Sequence, residues 1–145
     1  MQVRPYLYFN GRCEEALDFY KQALGAEVMM LLRFKDSADA PPLALLPAGT
    51  EDKIMHVWFR VGDTELMASD GDCEGGTSFQ GFSLSISPAN DTEADRFFNA
   101  LADGGEVQME LDKTLWASCF GVVTDRFGVS WIISVADDKA QVIAQ

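Results

Sequence analysis

An internal repeat constrains this chain more than any single motif. Phe19-Tyr20 followed by Gly25-Ala26-Glu27-Val28 is matched by Phe97-Phe98 followed by Gly104-Gly105-Glu106-Val107. Around each match the pattern reads strand, helix, then three strands. Half of such a pattern cannot bury its own sheet, so a repeat of this kind implies two units built together. The expected class is α+β, with two tandem βαβββ modules. Side by side, their sheets would make a curved, cup-like mixed sheet with the helices on its outer face and a cavity inside the cup.

The first module reads as a strand over 5–9 and a helix over 13–24. Asn10 is the expected N-cap, and Gly25 stands at the C-cap position. A strand over 27–34 follows, then a hairpin of strands 54–61 and 64–70 turning at Gly62-Asp63. Between them, residues 35–53 hold three of the chain's five prolines and read as a long loop with a helical turn, of the kind that serves as a lid or partner contact. Gly71 to Ser78 is a flexible connection. The second module reads as a strand over 82–87, a helix over 92–102 opened by Pro88, Asn90 and Asp91, a strand over 106–111, and a hairpin of 119–125 and 129–135 around Arg126-Phe127-Gly128. The last residues, from Asp137, read as a polar tail or frayed helix.

Charge narrows the partners. With 23 Asp and Glu against 11 Lys and Arg, the formal charge is −12, which repels phosphate backbones and anionic membrane surfaces. No apolar run approaches the length of a bilayer span. Residues 1–5 lead straight into a strand-like Tyr-Leu-Tyr-Phe with no signal-like apolar core. Three cysteines without a CxxC spacing fit reduced thiols in the cytoplasm rather than a disulfide frame or a zinc site.

Strand alternation separates two faces of residues 54–61. Met55, Val57, Phe59 and Val61 form an apolar set suited to packing under a helix. His56, Trp58 and Arg60 form the other, and His, Trp and Arg on one face suit a polar or anionic ring-like ligand. A polar outer face, or a core histidine at a dimer seam, remains the alternative. Ser69 and Asp70 end the neighbouring strand, where Asp70 could orient His56 as a catalytic acid–base pair. The plainer role for Asp70 is to cap the Gly71 turn. Trp116 and Phe120 could rim the cavity or simply pack in the core. Arg33 is a second possible anion contact or a solvated strand end. Asp70-x-Asp72-x-Glu74-Gly75 imitates a calcium loop, but Gly81 stands where a closing Glu is needed, so it reads as a turn. Arg126 reads as a surface ion-pair partner, and Cys119 as a buried thiol.

Four segments carry a family likeness: Cys13 to Tyr20 (CEEALDFY), Lys53 to Val57 (KIMHV), Leu66 to Asp70 (LMASD), and Trp116 through Trp131 with its TDRFGVSW core. Over residues 5–135 the chain resembles the vicinal-oxygen-chelate superfamily of glyoxalases, bleomycin-resistance proteins and dioxygenases, in its PhnB-like branch. The resemblance implies one such domain, with module one at 5–70, a linker at 71–80, module two at 81–135 and a tail at 136–145. It also implies a homodimer and, in many relatives, a divalent metal held by the first and last strands of each module.

The implied metal positions fall here on Phe82 and Ile132 in the second module, and near Pro5 or Tyr6 and Leu66 or Met67 in the first. None supplies the imidazole, carboxylate or amide oxygen such a metal needs, and with one His a two-His-one-carboxylate set cannot be assembled in one chain. No metal or other cofactor is therefore expected. The branch also carries a methyltransferase label, but the Gly-rich strand-to-helix turn of common S-adenosylmethionine enzymes is missing. Three functions remain open: a metal-independent small-molecule-binding protein, a lyase or isomerase using His56 with Asp70, and a dimeric interaction module with a filled cup.

Overall fold

Each half of the chain builds the same four-stranded sheet. The computed structural model describes residues 1–38, 41–71, 73 and 75–137. Asp39 and Ala40 of the long loop, Asp72 and Glu74 of the calcium-like turn, and the tail at 138–145 lie outside them. The chain divides into two units, Met1–Thr77 and the remainder from Ser78.

In the first unit, β1 (Tyr6–Tyr8), α1 (Cys13–Leu24), β2 (Glu27–Arg33), β3 (Ile54–Val61) and β4 (Thr64–Ser69) assemble in the order β1-β4-β3-β2. β1 runs parallel to β4, and the other pairs are antiparallel. In the second unit, β5 (Leu84–Ile86), α2 (Asp91–Ala102), β6 (Glu106–Asp112), β7 (Ala117–Thr124) and β8 (Ser130–Ala136) repeat that topology as β5-β8-β7-β6. The duplication is thus a duplication of fold: two tandem βαβββ modules of α+β class. Between β2 and β3 the chain carries short 3-10 turns at Phe34–Asp36, Leu43–Leu45 and Thr50–Asp52.

The two helices begin by different means. At α2, Asn90 accepts from the Glu93 N–H at 2.9 Å while Glu93 accepts from the Ala89 N–H at 3.1 Å, a reciprocal cap. At α1 the expected Asn10 cap does not form. Asn10 adopts φ 49° and donates its amide to the Gly76 carbonyl. The first-turn N–H of Cys13 is instead accepted at 2.8 Å by Asp70, from the far end of the module. Gly25 closes α1 in the left-handed conformation at φ 69°, as expected.

Each helix covers one face of its own sheet. Under α1, Val57 and Phe59 of β3 align with Ala68 and Leu66 of β4, and all four are buried with Leu7, Leu17 and Tyr20. Under α2, the buried row is Val123 with Trp131 and Gly121 with Ile133. A side chain at Gly121 would stand 2.8 Å from the Phe98 ring and 2.9 Å from Leu111, so α2 presses directly on the backbone of β7. By alternation the opposite, helix-free face of the first sheet carries His56, Trp58 and Arg60.

Candidate functional site

The helix-free face of the first sheet is organised in rows across the strands. The middle row runs Tyr6, Met67, Trp58, Met30, each registered with the next across β1, β4, β3 and β2. Beside it, Arg60 stands between Glu65 and Glu27. On the other side Tyr8 is registered with Ser69, and His56 with Leu32. These side chains are half-buried in the main, while Tyr8 is 55% and Met30 40% exposed. The result is an aromatic and thioether strip with a charged margin.

Three polar relationships define its chemistry. First, the Tyr6 hydroxyl lies 3.0 Å from His56 Nδ1, with the rings 5.6 Å apart. Burial raises the Tyr6 pKa above its usual value, opposed by the Ser69 hydroxyl. Where the phenol donates to Nδ1, the neutral ring carries its hydrogen on Nε2. Second, Trp58 Nε1 is buried without a hydrogen-bond partner among the described residues, a deficit worth about 1–3 kcal/mol if nothing fills it. Third, the guanidiniums are answered. Arg60 pairs with Glu27 at 2.7 Å, and Arg4, whose Cζ lies 5.7 Å from the Trp58 ring centre, pairs with Glu65.

His56, Trp58, Arg60 and Ser69 therefore share one face. Asp70 does not join them as a partner of His56. Its carboxylate, 1% exposed, accepts from the N–H groups of Gly11 and Cys13 through Oδ1 and of Ile54 through Oδ2, at 2.9, 2.8 and 2.7 Å. The expected His56–Asp70 pair is corrected on that ground: the carboxylate lone pairs are engaged by backbone, and Tyr6 orients the imidazole. The plainer expectation for Asp70 changes as well. Ser69 Oγ takes the Gly71 N–H, and the Asp70 side chain ties the start of α1 to the start of β3. Arg33 leaves the set too, since it bonds Glu14 of α1 and the Asp52 carbonyl. Burial pushes the Cys13 thiol well above its ordinary pKa, with the Asp70 carboxylate adding to it.

Trp116 and Phe120 belong to the second module. Their rings meet edge to face at 5.6 Å, with Trp116 55% exposed. Phe120 lies on the helix-free face of β7, in register with Ser134. Arg126 pairs with Asp103, the surface role expected of it. Nearby, Asp125 mirrors Asp70 as a buried acceptor, taking the N–H groups of Phe127 and Val129 and the Trp131 indole. Tyr6 and Met67 entered the sequence reading only as implied metal positions and Tyr8 not at all, although the alternation Tyr-Leu-Tyr in β1 already puts both phenols on one side.

The metal positions can now be tested for fit. In the first module the register pairs Tyr6 with Met67 on the helix-free face, while Leu66 is buried toward α1. In the second, Phe82 precedes β5, and the residue registered with Ile132 is Ser85. A phenol, a thioether, a hydroxyl and an alkyl group do not make a divalent-metal donor set. Among the described residues no group of three or more His, Cys, Asp or Glu is placed to hold a metal ion.

The sequence profile of the 3-demethylubiquinone-9 3-methyltransferase family matches residues 1–134. The chain belongs to that family. Protein YjdN of Escherichia coli (strain K12) is 36% identical over 96% of this chain and 98% of its own length. The solved structure of PA1353 from Pseudomonas aeruginosa has 44% identity and TM-score 0.80, covering 95% of this chain and 99% of that one. The PhnB protein of Bacillus cereus follows at 27% identity and TM-score 0.76, covering 94% of this chain and 100% of that one. Fold likeness alone extends to the fosfomycin resistance protein FosX of Mesorhizobium loti, with TM-score 0.62 at 9% identity. The family match and these relatives thus agree with the PhnB-like branch that the motifs imply. No helix among the described residues is long and apolar enough to cross a membrane.

Proposed function

We propose that this chain is a small-molecule-binding protein that works without the divalent metal of its superfamily, and that its ligand lies against the helix-free face of the first module. The observation that carries this reading is Trp58. Its indole N–H is buried and unpartnered in the middle of a half-exposed aromatic strip, and an acceptor on a ligand would satisfy it. Family membership supports the general reading, because this scaffold hosts many chemistries and the side chains at the site decide among them.

A second reading is favoured by one contact. The Tyr6–His56 hydrogen bond leaves Nε2 of His56 available for proton transfer, so a lyase or isomerase would use Tyr6 with His56, in place of the His56–Asp70 pair. A homodimer of cytoplasmic location completes the proposal. Exposed Met29 and Met109 on β2 and β6, the strands that end their sheet orders, are the surfaces a second copy would cover.

The test is a thermal-shift panel of aromatic acids, phosphonates and dicarbonyls, with elemental analysis of protein purified without chelator and its mass by light scattering. A concentration-dependent rise in Tm for one class, lost in Trp58→Ala, supports the binding reading. A flat panel moves weight to the interaction module. Stoichiometric zinc, nickel or iron overturns metal independence, and a monomeric mass at micromolar concentration removes the dimer.

A further inference from the structure

The charge state of the same face points to the class of ligand. Two guanidiniums and two carboxylates stand at its margin, and each guanidinium is paired: Arg60 with Glu27, Arg4 with Glu65. These pairs are partly exposed and worth little on their own, but they leave an arriving anion a nearly neutral margin within a chain of formal charge −12, which does not attract it. The clearest hydrogen-bonding group left over is a donor. Trp58 Nε1–H has no partner among the described residues and lies beside the flat surfaces of Tyr6, Tyr8 and Trp58 itself, while the Tyr6 contact at Nδ1 leaves only Nε2 of His56 for a ligand.

We infer that this face takes an uncharged, flat arene bearing a carbonyl acceptor, and discriminates against the carboxylate of the same skeleton. The inference rests on the binding reading above and narrows it. An aromatic body stacks on the strip, and the carbonyl oxygen accepts from Trp58 Nε1–H. Of the polar or anionic ring-like ligands suited to His56, Trp58 and Arg60, the inference takes the polar kind, because Arg60 is paired with Glu27.

The experiment uses the full chain and three probes of one skeleton: naphthyl methyl ketone, naphthoate and methylnaphthalene, titrated by calorimetry and by quenching of tryptophan fluorescence. The ketone is expected to bind about 5- to 10-fold tighter than methylnaphthalene, the gain of one hydrogen bond, and tighter than naphthoate. Trp58→Phe, which keeps a ring and removes the donor, reduces the ketone to the affinity of methylnaphthalene. Glu65→Gln, which frees Arg4, raises naphthoate affinity relative to that of the ketone; this arm stands even if Trp58→Phe does not fold. Naphthoate binding tighter than the ketone overturns the inference and leaves the binding site standing. Equal affinities for ketone and methylnaphthalene, indifferent to Trp58→Phe, also overturn it. Failure of all three probes to bind overturns the binding reading itself.

Discussion

The Tyr6 hydroxyl lies 3.0 Å from Nδ1 of His56, so the group that orients the imidazole comes from the first strand of the module rather than from the end of the fourth. That single contact engages Nδ1 of the only histidine in the chain and links two rings of the aromatic strip.

Tyr6→Phe should therefore release the imidazole. Nitrogen chemical shifts should show a single His56 tautomer in the wild-type protein and a mixture of tautomers in the variant. The expected cost in stability is about 0.5–1.5 kcal/mol, the usual net value of one hydrogen bond. The alkaline limb gives a second readout. Burial raises the Tyr6 pKa above 10.0, so as pH climbs past 10 the unfolded chain loses this proton first and stability falls until the folded pKa is passed. Tyr6→Phe should flatten that fall, as read from urea midpoints across the alkaline range.

Asp70→Ala separates a structural carboxylate from a catalytic one. Three backbone N–H groups from Gly11, Cys13 and Ile54 lose their acceptor at once, and each buried unsatisfied donor costs about 1–3 kcal/mol. A loss of about 3 kcal/mol or more is expected in urea unfolding. The His56 nitrogen shifts should stay as in the wild type. A moved His56 signal with little loss of stability would restore Asp70 as its partner.

The contrast between these two residues shows what is legible in a sequence. α1 at 13–24 and β3 at 54–61 match the sequence reading because periodicity and a C-terminal glycine are local signals. The gathering of His56, Trp58 and Arg60 on one face follows from alternation alone. Asp70 is different, because its partners are backbone N–H groups up to 59 residues away, and a backbone donor has no sequence signature. Arg33 fails for a related reason: its partner Glu14 comes from the helix packed over the sheet. The unpartnered N–H of Trp58 depends on what fills the space around it, which only coordinates show.

The second module offers a packing test. Gly121→Ala would place a methyl 2.8 Å from the Phe98 ring, 2.9 Å from Leu111 Cδ2 and 3.1 Å from the Leu111 backbone nitrogen. The ring can yield, but the β6 backbone yields less, so α2 and β6 must both shift. A loss of about 1–3 kcal/mol is expected from overpacking. Gly105→Ala should be worse, since its methyl would meet the Thr124 carbonyl oxygen directly in the backbone of the paired strand. Ranking the two by thermal unfolding checks the account: Gly121→Ala folded with a lowered Tm, Gly105→Ala lower still.

Thiol reactivity tests the burial beneath α1. Attack on a disulfide reagent needs the thiolate. Burial raises the pKa of Cys13 steeply, with the Asp70 carboxylate contributing, and burial also raises that of Cys119. Both are buried, while Cys73 is half-buried. At pH 8 the native protein should therefore release one equivalent of chromophore quickly from an aromatic disulfide, through Cys73. Cys13 should react last, at a rate set by opening of the module, and all three cysteines should react at once in urea. In Asp70→Ala the Cys13 phase should accelerate in proportion to the lost stability, because the start of α1 is then no longer tied to β3. A native Cys13 that reacts as fast as Cys73 would contradict the packing of α1 against the first sheet.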